Sequence, residues 1–149
     1  DQSHTALKLM EQNLAANHLA KIPWEGLCGD ALEILRDLCE AGHQYQMVSL
    51  DPPKFASKAG DVARAAKGYN DINRLGLSLV SDGGYLFTYS CSGQISAELL
   101  QKIVFSASLD AGVNVEVVRS LKQSRDHPEL ITVPETFYLK GLLCRIWQR

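Results

Sequence analysis

Apolar residues at Leu7, Met10 and Leu14, with Ala6 and Ala15 beside them, recur at the spacing of one helix face, so the chain opens almost directly into an amphipathic helix over about 3–19. Pro23 closes that stretch, and the apolar run at 22–28 reads as a short strand before Gly29. Asp30 with Glu33 three residues later has the pattern of a capping box; it starts a second helix that reaches about Ala41, with Gly42 at the expected stop. The segment YQMVSL at 45–50 is short and apolar, as in a strand buried on both faces, and it runs straight into Asp51-Pro52-Pro53.

Residues 54–68 are rich in Ala and Gly and set Lys54, Lys58, Arg64 and Lys67 against one acid, Asp61, which predicts a mobile basic loop or a weak helix. Ile72, Leu75 and Leu79 mark a helix over 69–80. Ser81-Asp82-Gly83-Gly84 then turns the chain into a strand at 85–90, which ends on Ser90-Cys91-Ser92-Gly93. Leu99, Ile103 and Ala107 share a face of a helix over 96–111; Gly112 stops it before a strand at 113–118. Pro128 and Pro134 make the next connection irregular, and a last strand follows over 137–146.

Helix and strand alternate four times, the pattern of an open α/β sheet with helices on both faces. Ligands of such sheets lie beyond the carboxyl ends of the strands, which points to Asp1, Asp30, Asp51 and Cys91. A length of 149 residues suits one domain, and 46% hydrophobic with 21% charged residues excludes collagenous, disordered and membrane-spanning classes. Fifteen Lys and Arg against seventeen Asp and Glu leave a net charge of -2, so polyanion binding would depend on the local basic stretch. Cys28, Cys39, Cys91 and Cys144 are scattered without CxxC spacing, which argues against a disulfide framework or a zinc site; no metal is expected. The first ten residues lack signal-peptide order, so a cytoplasmic location with reduced thiols is the expectation.

Taken singly, these residues have plainer readings. Cys91 alone reads as an inert buried thiol, as do Cys28, Cys39 and Cys144. Asp51 can cap the turn before its two prolines, Asp30 can be a helix N-cap, and His127 can sit in a structural turn. The basic stretch can be solvated surface, and Phe55 and Tyr69 can either stack on a base or pack inside.

Together, DPPKF at 51–55, GYNDIN at 68–73, YSCSG at 89–93 and DHP at 126–128 resemble, in type and order, the bacterial 23S ribosomal RNA 5-methylcytosine methyltransferases, over nearly the whole chain. The resemblance implies a class I, Rossmann-like fold that uses S-adenosylmethionine (SAM). It implies that 1–149 is the carboxyl-terminal part of a catalytic domain, without its first two strands and glycine-rich loop. The strand at 45–50 would then carry an open edge, to be closed by the strand at 22–28 sliding over to pair with it, by a second copy in a homodimer or, as the preferred expectation, by the amino-terminal part of its own chain.

The same resemblance assigns roles. Asp1 would meet the ribose hydroxyls of SAM, Asp30 and Ala31 its adenine, and Asp51 and Pro52 both the methyl group and the target base. Cys91 would add to cytosine C6 so that C5 becomes nucleophilic, with Asp51 hydrogen-bonded to the base. Pro53, Lys54, Phe55, Tyr69, Lys58, Arg64, Lys67 and His127 would contact large-subunit ribosomal RNA, with no membrane involved. Lys54 stands near the position where related enzymes place a second cysteine. The alternatives are a methyltransferase acting on another RNA atom such as guanine N7, for which Cys91 is unnecessary, and an RNA-contacting chain without activity.

Overall fold

The computed structural model describes residues 1–56 and 58–149; Ser57, inside the basic stretch, lies outside the described residues. Helix α1 (His4–Ala16) starts where the Ser3 hydroxyl accepts the Ala6 N–H, and none of its residues is buried. In α2 (Ala31–Glu40) the Asp30 carboxylate accepts the Leu32 and Glu33 N–H groups at 2.8 and 3.3 Å, satisfying two donors that the helix leaves open. Strand β1 (Tyr45–Leu50), helix α3 (Val62–Leu79) and strand β2 (Val80–Ser90) form a parallel crossover unit. Helix α4 (Ala97–Ala111) is capped by Ser96 and ends at Gly112 with φ +70°, which a residue without Cβ adopts at no steric cost. Strands β3 (Val113–Leu121) and β4 (Lys140–Gln148) complete a sheet in the order β1-β2-β4-β3. Only β4 runs against the others, inserted between β2 and β3.

Helix α3 lies between α2 and α4 over one sheet face. Strand alternation puts Leu86, Thr88 and Ser90 of β2 and Leu142, Cys144 and Ile146 of β4 on that face, where they meet Tyr69, Ile72, Leu100 and Ile103 in the core. The other face carries Tyr85, Phe87, Leu143 and Arg145, half-buried, and Trp147, exposed; the Arg145 guanidinium sits 4.4 Å from the Trp147 ring centre.

Several expectations are corrected. Residues 22–28 form no strand. Beyond the adjacent turn their backbone hydrogen bonds among the described residues go to Asp1 alone: its amino group donates to Leu27 O at 3.1 Å, and just past the stretch Gly29 N–H donates to Asp1 O at 3.2 Å. Extended backbone needs a neighbour along its length to become a strand, and one residue supplies one bridge. Strand β1 has its expected limits, but only Leu50 is buried and Met47 is 60% exposed, because β1 pairs with β2 alone and lies at the sheet edge. Helix α3 begins seven residues before the predicted position 69, so the second half of the basic stretch is helix and not loop. Its buried stripe runs Ala65, Tyr69, Ile72, Gly76 and Leu79, and the alanines at its start give too weak an apolar signal to extend the period by eye. The turn at 81–84 is an irregularity inside β2, where pairing passes from Tyr45↔Val80 to Met47↔Tyr85. The last strand begins at Lys140, after a short 3-10 turn at Pro134–Thr136.

Gly84 sits at this irregularity, and a Cβ there would stand 2.8 Å from the Gln46 carbonyl oxygen and 2.9 Å from that of Ser81. Both obstacles are backbone. Gly84→Ala is expected to destabilise the protein by about 1–3 kcal/mol, whereas Gly60→Ala, with open space around it, leaves stability nearly unchanged; thermal denaturation of the two variants checks this.

Candidate functional site

Parallel strands that are neighbours end side by side. The register Leu50↔Thr88 makes Asp51 and Cys91 leave the sheet beyond the same edge, from strands about 4.8 Å apart. After β1 the chain places Asp51 in solvent, buries Pro52, half-buries Phe55 and buries Ala56. After β2, Cys91 is half-buried between Ser90 and Ser92, both fully buried. The two loops are tied together where Ala56 N–H donates to Ser92 Oγ at 3.3 Å.

On the β1 side a cleft of about 740 Å³ opens. Asp1, Asp30, Ala31, Asp51 and Pro52, the five residues anticipated around one small molecule, all line it, together with Pro53 and Phe55. Leu27, Leu32, Leu35 and Ile72 supply apolar wall. Carboxylates at the rim and aliphatic side chains on the wall suit a ligand that joins hydroxyl groups to a flat ring. The acids are held in place: Ser3 N–H donates to Asp1 Oδ1 at 2.8 Å, and Gln2 Nε2 donates to Asp30 Oδ2 at 3.3 Å. Asp30 thus caps α2 with one oxygen and faces the cleft residue Gln2 with the other. Cys91 does not line the cleft; its loop is tied by the Ser92–Ala56 hydrogen bond to the loop that carries the cleft residues Asp51 to Phe55.

The remaining candidates divide. Tyr69 is fully buried, so the expectation that it contacts substrate is corrected: its ring packs 4.8 Å from that of Phe55 and its hydroxyl faces Ser90 and Ser92. Lys54, Lys58, Arg64 and Lys67 are exposed, and Arg64 pairs with Asp61 at 2.8 Å. His127 is exposed, with Nε2 3.6 Å from Asp126 and Nδ1 3.5 Å from the Tyr138 hydroxyl. The Ser124 hydroxyl, with the residue's own amide, holds the Asp126 carboxyl below its ordinary value. Lys140, absent from the sequence-based candidates, lies opposite Ser90 on β4 and donates to Ser92 O at 2.7 Å and Tyr138 O at 2.8 Å. Burial pushes its ammonium below the ordinary lysine value; Cys91 works against that shift and Lys54 adds to it. A basic residue opening the last strand was the available signal.

No protein-family model matches the chain. Two relatives named ribosomal RNA large subunit methyltransferase I align over 146 residues, 98% of the chain: that of Escherichia coli O1:K1 at 39% identity and that of Alteromonas mediterranea at 42%. The chain spans 37% of the length of these curated relatives. Among solved structures, a chain from Streptococcus mutans assigned to the SAM-dependent methyltransferases superposes with a TM-score of 0.80 at 16% identity, covering 97% of this chain and 37% of that one. The SAM-dependent methyltransferase of Agrobacterium tumefaciens gives 0.61 at 18% identity, covering 99% and 47%. The fold is that of a SAM-dependent methyltransferase. Its candidate site lies at the carboxyl edge of β1 and β2, and among the described residues no cluster of His, Cys, Asp and Glu could hold a metal ion. No helix of the described residues is long and apolar enough to cross a membrane.

The four thiols differ in setting. Cys144 is fully buried on the core face of β4, and burial pushes it from an ordinary 9.0 up to about 11; burial also raises Cys39. Cys28, expected to be inert and buried, is exposed, with Sγ 3.5 Å from His4 Nε2. Because the folded state holds the Cys144 proton more tightly than the unfolded state, its contribution is intact below pH 9 and is lost as pH rises toward 11. At neutral pH, alkylation of the native protein is expected to modify Cys28 and Cys91 while Cys144 stays unmodified until denaturant is added; peptide mass spectrometry reads this directly.

Proposed function

We propose that the protein of which this chain forms part transfers a methyl group from SAM to cytosine C5 in large-subunit ribosomal RNA, with Cys91 as nucleophile. The observation that carries the reading is the shared edge: the cleft lined by Asp1, Asp30 and Asp51 opens where β1 ends, Cys91 follows the end of the neighbouring β2, and the Ala56–Ser92 hydrogen bond ties the two loops together. The relatives' name, ribosomal RNA large subunit methyltransferase I, supports a ribosomal RNA substrate. The cleft residues fit SAM, whose ribose diol suits a carboxylate such as Asp1 and whose adenine suits the aliphatic wall and the Ala31 amide in the first turn of α2. When bound, SAM supplies an electrophilic methyl group.

The chain's own residues account for the rest. Cys91 Sγ bonds to C6 of the ring, and the displaced electron pair makes C5 nucleophilic. Asp51, in the cleft with Pro52, hydrogen-bonds the base: as the carboxylic acid it gives its proton to N3 while Cys91 adds, which neutralises the charge that develops on the ring, and it takes the proton back when the thiolate leaves. After C5 is methylated, loss of its proton restores the C5–C6 double bond and expels the thiolate. Lys54 and Lys58, on the exposed loop after Asp51, and Lys67, exposed on α3, offer ammonium groups to RNA phosphates.

A fluorine at C5 cannot leave as a proton, so RNA containing 5-fluorocytosine traps the adduct. The whole protein is expected to form a covalent complex through Cys91, and Cys91→Ala to form none. An adduct on another cysteine, or full methylation by Cys91→Ala, contradicts the reading; the second outcome favours another target atom such as guanine N7.

A further inference from the structure

One buried hydroxyl lies beneath both loops of the site. Tyr69, fully buried on α3, accepts a hydrogen bond from Ser90 Oγ at 2.9 Å and lies 3.3 Å from Ser92 Oγ. Ser92 N–H donates to Ser90 Oγ at 3.3 Å, and Ala56 N–H donates to Ser92 Oγ at 3.3 Å. Proton counting gives the ring a direction. Ser90 spends its one O–H on Tyr69, so the Tyr69 O–H is left for Ser92 Oγ, which also accepts from Ala56. The residues on both sides of Cys91 are therefore pinned to one phenol, and one of them is pinned to the loop that begins at Asp51. Asn73, one turn further along α3, donates from Nδ2 to Tyr69 O at 2.7 Å, and the Phe55 ring packs 4.8 Å from the Tyr69 ring.

We infer that Tyr69 is a positioning residue, whose hydroxyl fixes the Cys91 backbone relative to Asp51 and Pro52. This rests on the reading of Cys91 as nucleophile. A thiol held by buried serines attacks from one place, whereas a thiol on a loosened turn samples many, and small misplacements of a reacting group cost large factors in rate. Ring packing alone cannot do this, because the hydroxyl makes the links to the Cys91 turn.

The test is Tyr69→Phe in the whole protein, which keeps the ring and its contact with Phe55 and removes only the hydroxyl. Adduct formation with 5-fluorocytosine RNA is expected to slow by on the order of 10- to 100-fold, and kcat to fall in proportion, while KM for SAM and the fraction of molecules that finally form adduct stay as in the wild type. An unchanged rate overturns the inference, and so does a reduced adduct-forming fraction with a normal rate, which is what a merely structural role gives. Where Tyr69→Phe fails to fold, Ser92→Ala serves instead: it removes the link to Ala56, is expected to slow adduct formation with SAM KM unchanged, and overturns the inference if the rate is normal. Wild-type adduct at Cys91 with a normal Tyr69→Phe rate sinks this inference alone. Methylation by Cys91→Ala sinks the nucleophile reading and the inference with it.

Discussion

The parallel pairing of β1 with β2, carried over by α3, decides where two strands end and which helix lies beneath their ends. Parallel neighbours cannot be joined by a tight turn, so a crossover of this length is required, and a helix is its usual form. Once Leu50 stands beside Thr88, Asp51 and Cys91 emerge at one edge. Gly76 lets α3 approach β1 closely, since a Cβ there would lie 2.7 Å from Leu50 Cδ1. That approach seats the amino-terminal half of α3, with Tyr69, under the Cys91 turn.

The polar seam under this edge has a cost. Buried hydroxyls without partners lose about 1–3 kcal/mol each, and Tyr69, Ser90 and Ser92 avoid that by bonding to one another and to backbone. Replacing hydrogen-bonded partners by apolar groups of the same shape is often nearly neutral for stability, whereas here it would remove the links to the Cys91 turn. The seam is therefore better understood as a device of placement than as a source of stability. Lys140 adds a second tether from β4 through the Ser92 carbonyl, so the turn is held both from the helix layer and from the neighbouring strand.

Local chemistry made much of this readable. Asp30, Ser96 and Gly112 mark helix ends by capping rules that act within a few residues, and α2 and α4 lie where those residues place them. Asp51 and Cys91 were visible because acids and thiols directly after apolar strands stand out. What stayed hidden depends on partners distant in sequence. The antiparallel insertion of β4 between β2 and β3 has no local signature, and residues 22–28 are apolar enough for a strand but find one bridging residue. Tyr69 looked equally suited to stacking on a base, and only the fold turns its hydroxyl toward Ser90 and Ser92. Lys140 is locally only a basic residue at a strand start, and its role comes from its register opposite Ser90.

The central claim is that this edge carries out thiolate-assisted methylation of a pyrimidine carbon. The most direct measurement is nucleoside mass spectrometry of large-subunit ribosomal RNA treated with SAM and the whole protein, wild type beside Cys91→Ala. The account predicts added 5-methylcytidine with the wild type and no methylation beyond that of the untreated RNA with the variant. A product of 7-methylguanosine, or equal yields from both proteins, would contradict it.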